Sequence, residues 1–153
     1  MTAALLKAVH VLAVLLWVGG MAFAHFFLRP SLTVLEPPQR LKLMHAVLGR
    51  FFRAVLWATG AILLTGFAML RGVGRAAVLA PAAWPWSWWC MTTVGLLMVA
   101  IFGHIRFVRW PVMDRAVRAG NLPAAAAALA GIRQWVAVNL GLGIALILVV
   151  FVG

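Results

Sequence analysis

Four long apolar stretches alternate with short polar connections along this chain of 153 residues. The stretches cover approximately residues 5–28, 41–70, 86–108 and 135–152. A helix needs about 20 such residues to cross the hydrocarbon core of a bilayer. Helices are expected because lipid cannot hydrogen-bond the open backbone groups of unpaired strands. The pattern predicts an all-α membrane protein, a single domain of four transmembrane helices in an antiparallel up-down bundle.

The first stretch is interpreted as an uncleaved span. The sequence Ala22-Phe23-Ala24 resembles the small-residue cleavage site of a secretory signal peptide. However, the apolar stretch is longer than the apolar part of a signal peptide, and the charge before it is a single Lys7.

Charge and composition then orient the bundle. The chain is 66% hydrophobic and 10% charged, whereas a soluble protein is about 45–50% apolar and about 25% charged. Its net charge of +11 is therefore a topological signal and not a nucleic-acid footprint. One side of the pattern holds Arg29, Arg40, Lys42, Arg50, Arg53, Arg106, Arg109, Arg115, Arg118 and Arg133, and the other holds Lys7, Arg71 and Arg75. The positive-inside rule predicts a bacterial inner-membrane protein with both termini periplasmic and the charged connections cytoplasmic.

Glu36 and Asp114 are the only carboxylates, and both lie in the predicted cytoplasmic connections. No acid pair is available for acid–base work inside the membrane, and no nucleophile elbow or nucleotide-binding loop is present. These absences exclude a hydrolase. A haem-dependent oxidoreductase is the enzyme class that stays open.

The four histidines are the first candidates for function, because ionisable residues inside a span are costly. His25, His45 and His104 share the predicted cytoplasmic leaflet, whereas His10 lies in the other. Two histidines at similar depth on different helices can ligate haem iron. The candidate pairs are His25–His104 and His45–His104. The alternative is that these imidazoles only hydrogen-bond to backbone or lipid.

Three polar residues extend the haem hypothesis. Asn139 is predicted at the depth of His104, and its amide needs a partner that His104 or a ligand would supply. Arg50 and Arg53 either clamp an anionic group such as a haem propionate or extend to the membrane surface.

A second candidate set lies near the periplasmic ends of the first three spans. Its members are His10, Met69, Cys90 and Met91. Thioether, thiolate and imidazole groups suit Cu(I). The alternative is that the methionines only fill gaps or face lipid.

Short motifs in three spans resemble the copper resistance protein D (CopD) family of membrane proteins. They are Lys7-x-x-His10, Leu16-Trp17-Val18-Gly19-Gly20-Met21, Leu28-Arg29-Pro30, Thr65-Gly66-Phe67-Ala68-Met69-Leu70 and Ile132-Arg133-x-x-Val136-x-x-Asn139-Leu140-x-Leu142-Gly143. The resemblance implies copper handling. The same superfamily includes HemJ-type protoporphyrinogen oxidases, four-helix proteins associated with haem b, and its first-span pattern is similar to Lys7 and His10. Those proteins have a basic residue early in the third span, where this chain has Trp88-Trp89-Cys90-Met91.

These features of the sequence are compatible with three functions. The main hypothesis is a haem b protein for electron transfer or redox sensing, with a quinone or another redox protein as partner. The alternatives are copper binding or transport, and an accessory subunit of a membrane complex. The glycines of spans one and four, Gly19-Gly20 and Gly141-x-Gly143, are expected at close helix contacts and permit a homodimer.

Overall fold

Four long helices make up the part of the chain that the computed structural model describes, residues 2–72 and 84–152. They are α1 (Ala3–Val34), α2 (Pro37–Gly72), α3 (Trp86–Arg118) and α4 (Leu122–Val152). Each is long and apolar enough to cross a membrane, and the described residues contain no strand. The predicted all-α fold with four transmembrane helices in a bilayer is confirmed. Arg75 and most of the connection between α2 and α3 lie outside the described residues.

The helices are longer than the apolar stretches that predicted them. The structure continues α3 to Arg118 and begins α4 at Leu122, so most of the basic connection predicted between the third and fourth spans is helical. At about 1.5 Å per residue, helices of this length exceed a hydrocarbon core of about 30 Å, and their ends extend beyond it. We call the end of the bundle where α2 and α4 begin the basic end.

Two short turns join helices at the basic end. Leu35 and Glu36 separate α1 from α2. Between α3 and α4, Gly120 has a φ of 68°, a left-handed conformation that glycine adopts without strain. The side chain of Asn121 then accepts a hydrogen bond of 3.1 Å from the backbone N–H of Ala124 and caps α4. Short turns of this kind keep consecutive helices antiparallel.

Among the described residues, two of the three π-helical segments lie just before a proline. The segments Ala24–Leu28 in α1 and Ile105–Arg109 in α3 each end two residues before a proline, Pro30 and Pro111. Proline has no N–H to donate, and its ring displaces the carbonyl group four residues earlier, so the helix widens just before it. The third segment, Leu15–Gly19, has no proline after it. The widened segment of α1 contains His25.

Helix α1 packs mainly on α2, and α3 packs mainly on α4. Gly143 joins the two pairs, because a Cβ added there would lie 3.0 Å from a Val18 methyl group and 3.1 Å from that of Met98. A Cβ added at Gly20 would lie closer still to the ring of Phe51. These two glycines confirm the predicted close helix packing, whereas Gly19 and Gly141 have no atom within 4 Å of an added Cβ.

The core is apolar and includes sulfur-containing side chains. Its largest fully buried apolar side chains are Met21, Phe52, Val55, Ile105, Met113 and Ile132. The outward surface is also apolar, with Trp57, Leu64 and Phe151 each more than 70% exposed. An apolar exterior of this kind suits a surrounding of lipid.

Candidate functional site

At the end opposite the basic end, a polar contact joins His10 of α1 to Thr65 of α2. Their Nδ1 and Oγ1 atoms are 2.9 Å apart. The Thr65 hydroxyl already donates its single proton to the backbone carbonyl of Ala61, at 2.6 Å. With that proton directed to Ala61, Thr65 accepts from His10, which assigns the imidazole proton to Nδ1 and leaves a lone pair on Nε2. A histidine oriented by an acceptor on its other nitrogen is the usual arrangement of a metal ligand.

Helix α2 carries a thioether one helical turn beyond the threonine that contacts this imidazole. Met69 is partly buried and lies one helical turn beyond Thr65, on the same face of the helix. Gly66 lies between them in sequence, and a Cβ added there would be 3.6 Å from Cε1 of His10. The structure therefore places His10 against the face of α2 that carries Met69.

The other two members of the predicted copper set lie at the start of α3. Cys90 is a half-buried free thiol, and the side chain of Met91 is 39% exposed. The described residues include no group of three or more His, Cys, Asp or Glu side chains that could hold a metal. A copper site here would depend on thioethers together with His10, and this ligand set stays a prediction.

At the basic end, His45 of α2 is held by α3. Its Nε2 lies 2.8 Å from Oδ1 of Asp114, and its ring stacks on Trp110 at 4.9 Å with an angle of 11°. The second oxygen of Asp114 lies 2.9 Å from Nε of Arg118. Asp114 was predicted to lie in a connection, and this contact was not predicted, because α3 continues as a helix through that region.

We expect Asp114→Ala to lower the free energy of unfolding by about 1 kcal/mol, the value of a partly exposed ion pair. Loss of the carboxylate removes the hydrogen bond between α2 and α3 and leaves Arg118 without its partner. Unfolding in mixed micelles with increasing SDS measures the change. Glu36→Ala removes the other, exposed carboxylate, which forms no ion pair among the described residues, and should change little. Equal losses in both variants would contradict this assignment.

The two other histidines have separate ring contacts. The ring of His104 lies 5.1 Å from that of Trp135, and the ring of His25 lies 4.9 Å from that of Phe26. Asn139 is 1% exposed, and neither atom of its amide has a hydrogen-bond partner among the described residues. The predicted hydrogen bond from His104 to Asn139 is therefore absent.

The geometry around the histidines does not support haem binding. A cavity beside His25 has a volume of about 30 Å³, which is close to that of one water molecule and far below that of a haem. His45 is engaged by Asp114 and Trp110. Arg50 and Arg53 are both exposed, as expected for side chains that extend to the membrane surface. None of these contacts pairs two histidines as axial ligands.

Comparison with known proteins favours copper over haem. The family model of copper resistance protein D, CopD, matches residues 45–152, more than two thirds of the chain. The matched range contains Thr65, Met69, Cys90, Met91 and Asn139, and it begins after His10. Searches of the curated proteins and of the solved structures returned no significant match. With four membrane-spanning helices and this match, the chain belongs to the copper resistance protein D family.

Proposed function

We propose that this protein handles copper within the membrane and binds Cu(I) at the end of the bundle that contains His10. The observation that carries the proposal is the match of residues 45–152 to the copper resistance protein D family. Cu(I) is a soft cation that prefers thioether, thiolate and imidazole ligands. This end of the bundle has all three, in Met69, Cys90, Met91 and His10.

His10 is the first ligand of the proposed site. Its Nδ1 proton is directed to Thr65, so the Nε2 lone pair is available without loss of a proton. The hydrogen bond also fixes the plane of the ring against α2. Met69 is the second ligand, because it lies one turn beyond Thr65 on the same face.

Helix α3 would complete the site from Cys90 or Met91. A thiolate binds Cu(I) more strongly than a thioether, and it also neutralises the charge of the cation in a low-dielectric surrounding. Copper binding would therefore draw the start of α3 towards α1 and α2. A movement of α3 on addition of Cu(I) would indicate that the side chains of all three helices bind the same ion.

The test is a competition titration of the purified protein in mild detergent, with Cu(I) held by a chromogenic chelator. We expect one Cu(I) per chain, and His10→Ala should weaken its binding at least about tenfold, because a direct ligand is lost. His25→Ala is the matched control, since His25 lies at the basic end. Met69→Leu should also weaken binding, whereas Met98→Leu, which changes a core thioether, should not.

Two results would overturn the proposal. Cu(I) binding of equal strength in the native protein and in His10→Ala would remove His10 from the site. Iron at one equivalent per chain, together with a sharp visible absorption in the reduced protein, would replace copper by haem as the bound group.

A further inference from the structure

Three arginines surround two neighbouring cavities at the basic end of the bundle. The first is the cavity of about 30 Å³, which is lined by His25 and Arg29 of α1 and by Arg133 of α4. The second is a groove of about 370 Å³ between the starts of α2 and α4, which is lined by Arg40 and Arg133. Arg133 therefore borders both spaces.

Arg133 is a cation without a counter-ion in the described structure. Its Nε is closed off from solvent and has no hydrogen-bond partner among the described residues. Arg29 lies near enough to repel it electrostatically. Asp114 is engaged by His45 and Arg118, and Glu36 forms no ion pair within the described ranges. A partly buried cation beside a like charge is unfavourable unless an anion lies close to it.

Arg40 is held in place at the edge of the groove. Its guanidinium donates hydrogen bonds to the backbone carbonyl groups of Leu35, in the turn that joins α1 to α2, and of Thr33, at the end of α1. These bonds fix the direction of the side chain and reduce the entropy that it would lose on binding a ligand.

The helix ends add to the positive potential of the groove. Both α2 and α4 begin here, so the positive ends of two long helix dipoles lie beside the same space. Proline residues at both starts lack an N–H, and Asn121 already accepts from Ala124. Charge-assisted hydrogen bonds to an anion come from the guanidinium groups.

The rest of the groove is apolar. Its walls are formed by Pro37, Pro38, Leu41, Leu122, Pro123, Ala126 and Leu129. Its volume lies in the range of ligand sites, which is about 300–1,000 Å³. An anion that carries a hydrocarbon portion fits this lining better than a free, fully hydrated anion does.

We propose that the groove binds an anionic phospholipid, with its phosphate group between Arg40 and Arg133 and the start of an acyl chain along Leu41. Arg29 adds positive charge from the side of α1. Basic pockets between transmembrane helices recognise anionic headgroups in this way. This lipid site lies at the opposite end of the bundle from the proposed copper site and does not depend on it.

Native mass spectrometry of the full chain, released from micelles doped with phosphatidylglycerol or phosphatidylcholine, tests this proposal. We expect one tightly retained phosphatidylglycerol per chain and at least about tenfold weaker retention of phosphatidylcholine. Arg133→Gln should weaken phosphatidylglycerol binding by about tenfold or more, because a charge-assisted hydrogen bond is lost. Arg40→Gln should act in the same direction. Arg115→Gln removes an exposed cation that lines neither cavity, and it should leave binding unchanged.

Two further measurements distinguish lipid binding from the binding of free phosphate and from an effect of misfolding. Inorganic phosphate should fail to displace the bound lipid at millimolar concentration; displacement would reassign the site to a free phosphate. Arg133→Lys keeps the charge and should retain part of the affinity, which loss of folding would not allow. Equal binding by the native protein and Arg133→Gln, or equal losses in Arg133→Gln and Arg115→Gln, would overturn the proposal.

Discussion

Replacing Phe52 with alanine is expected to lower the free energy of unfolding by about 3–5 kcal/mol. Phe52 is 2% exposed and is among the largest fully buried side chains of the described core. Its ring packs edge-on against Phe102 at 6.2 Å and Trp110 at 5.5 Å, so it joins α2 to two positions of α3 that lie about two turns apart. Inside a bilayer the loss is mainly one of van der Waals contact, because lipid is as apolar as the core.

Equilibrium unfolding in mixed micelles with increasing SDS measures this effect. Phe67→Ala is the control on the same helix, because the Phe67 ring is 59% exposed and has Arg71 above it at 5.0 Å. We expect a change of less than about 1 kcal/mol for that variant. Similar losses for both variants would show that aromatic residues stabilise this bundle through lipid contact and not through the core.

The number of helices was predictable from the sequence, but the ends of the helices were not. Apolar runs of 18 or more residues indicate spans because the bilayer imposes that length. The same signal disappears at the basic end, where α3 continues through a polar segment that ends at Arg118. A helix that leaves the membrane no longer needs apolar residues on every face. The contact of His45 with Asp114 was missed for that reason, because the carboxylate was assigned to a connection.

The candidate site was partly predictable. His10 was identifiable because an imidazole inside a span is costly and needs a partner. Its partner Thr65 was not, since a threonine inside a span commonly bonds to its own helix, and Thr65 does so as well. Arg29 and Arg133 counted only as indicators of topology. Their proximity depends on how α1 packs beside α4, which no spacing along the chain reveals.

Replacing Asn139 with leucine is expected to raise the free energy of unfolding by about 1–3 kcal/mol. Both polar atoms of the Asn139 amide are buried without a hydrogen-bond partner among the described residues. Leucine has the same branching and the same number of side-chain heavy atoms and leaves no polar group unpaired, so it removes this cost without opening a cavity. If Asn139→Leu does stabilise the protein, the native asparagine lowers stability. Its presence would then be explained by a role other than stability.

The same substitution at Asn121 provides a control with the opposite sign. Asn121 is exposed and caps α4, so Asn121→Leu should lower stability by about 1 kcal/mol. Thermal unfolding in mild detergent, followed by circular dichroism, compares the two variants. If Asn139→Leu instead lowers the Tm, the amide bonds to a group that is not among the described side chains. The Cu(I) titration is then repeated on Asn139→Leu. Weaker binding would extend copper handling from the His10 end into the centre of the bundle. Unchanged binding would confine it to the His10 end.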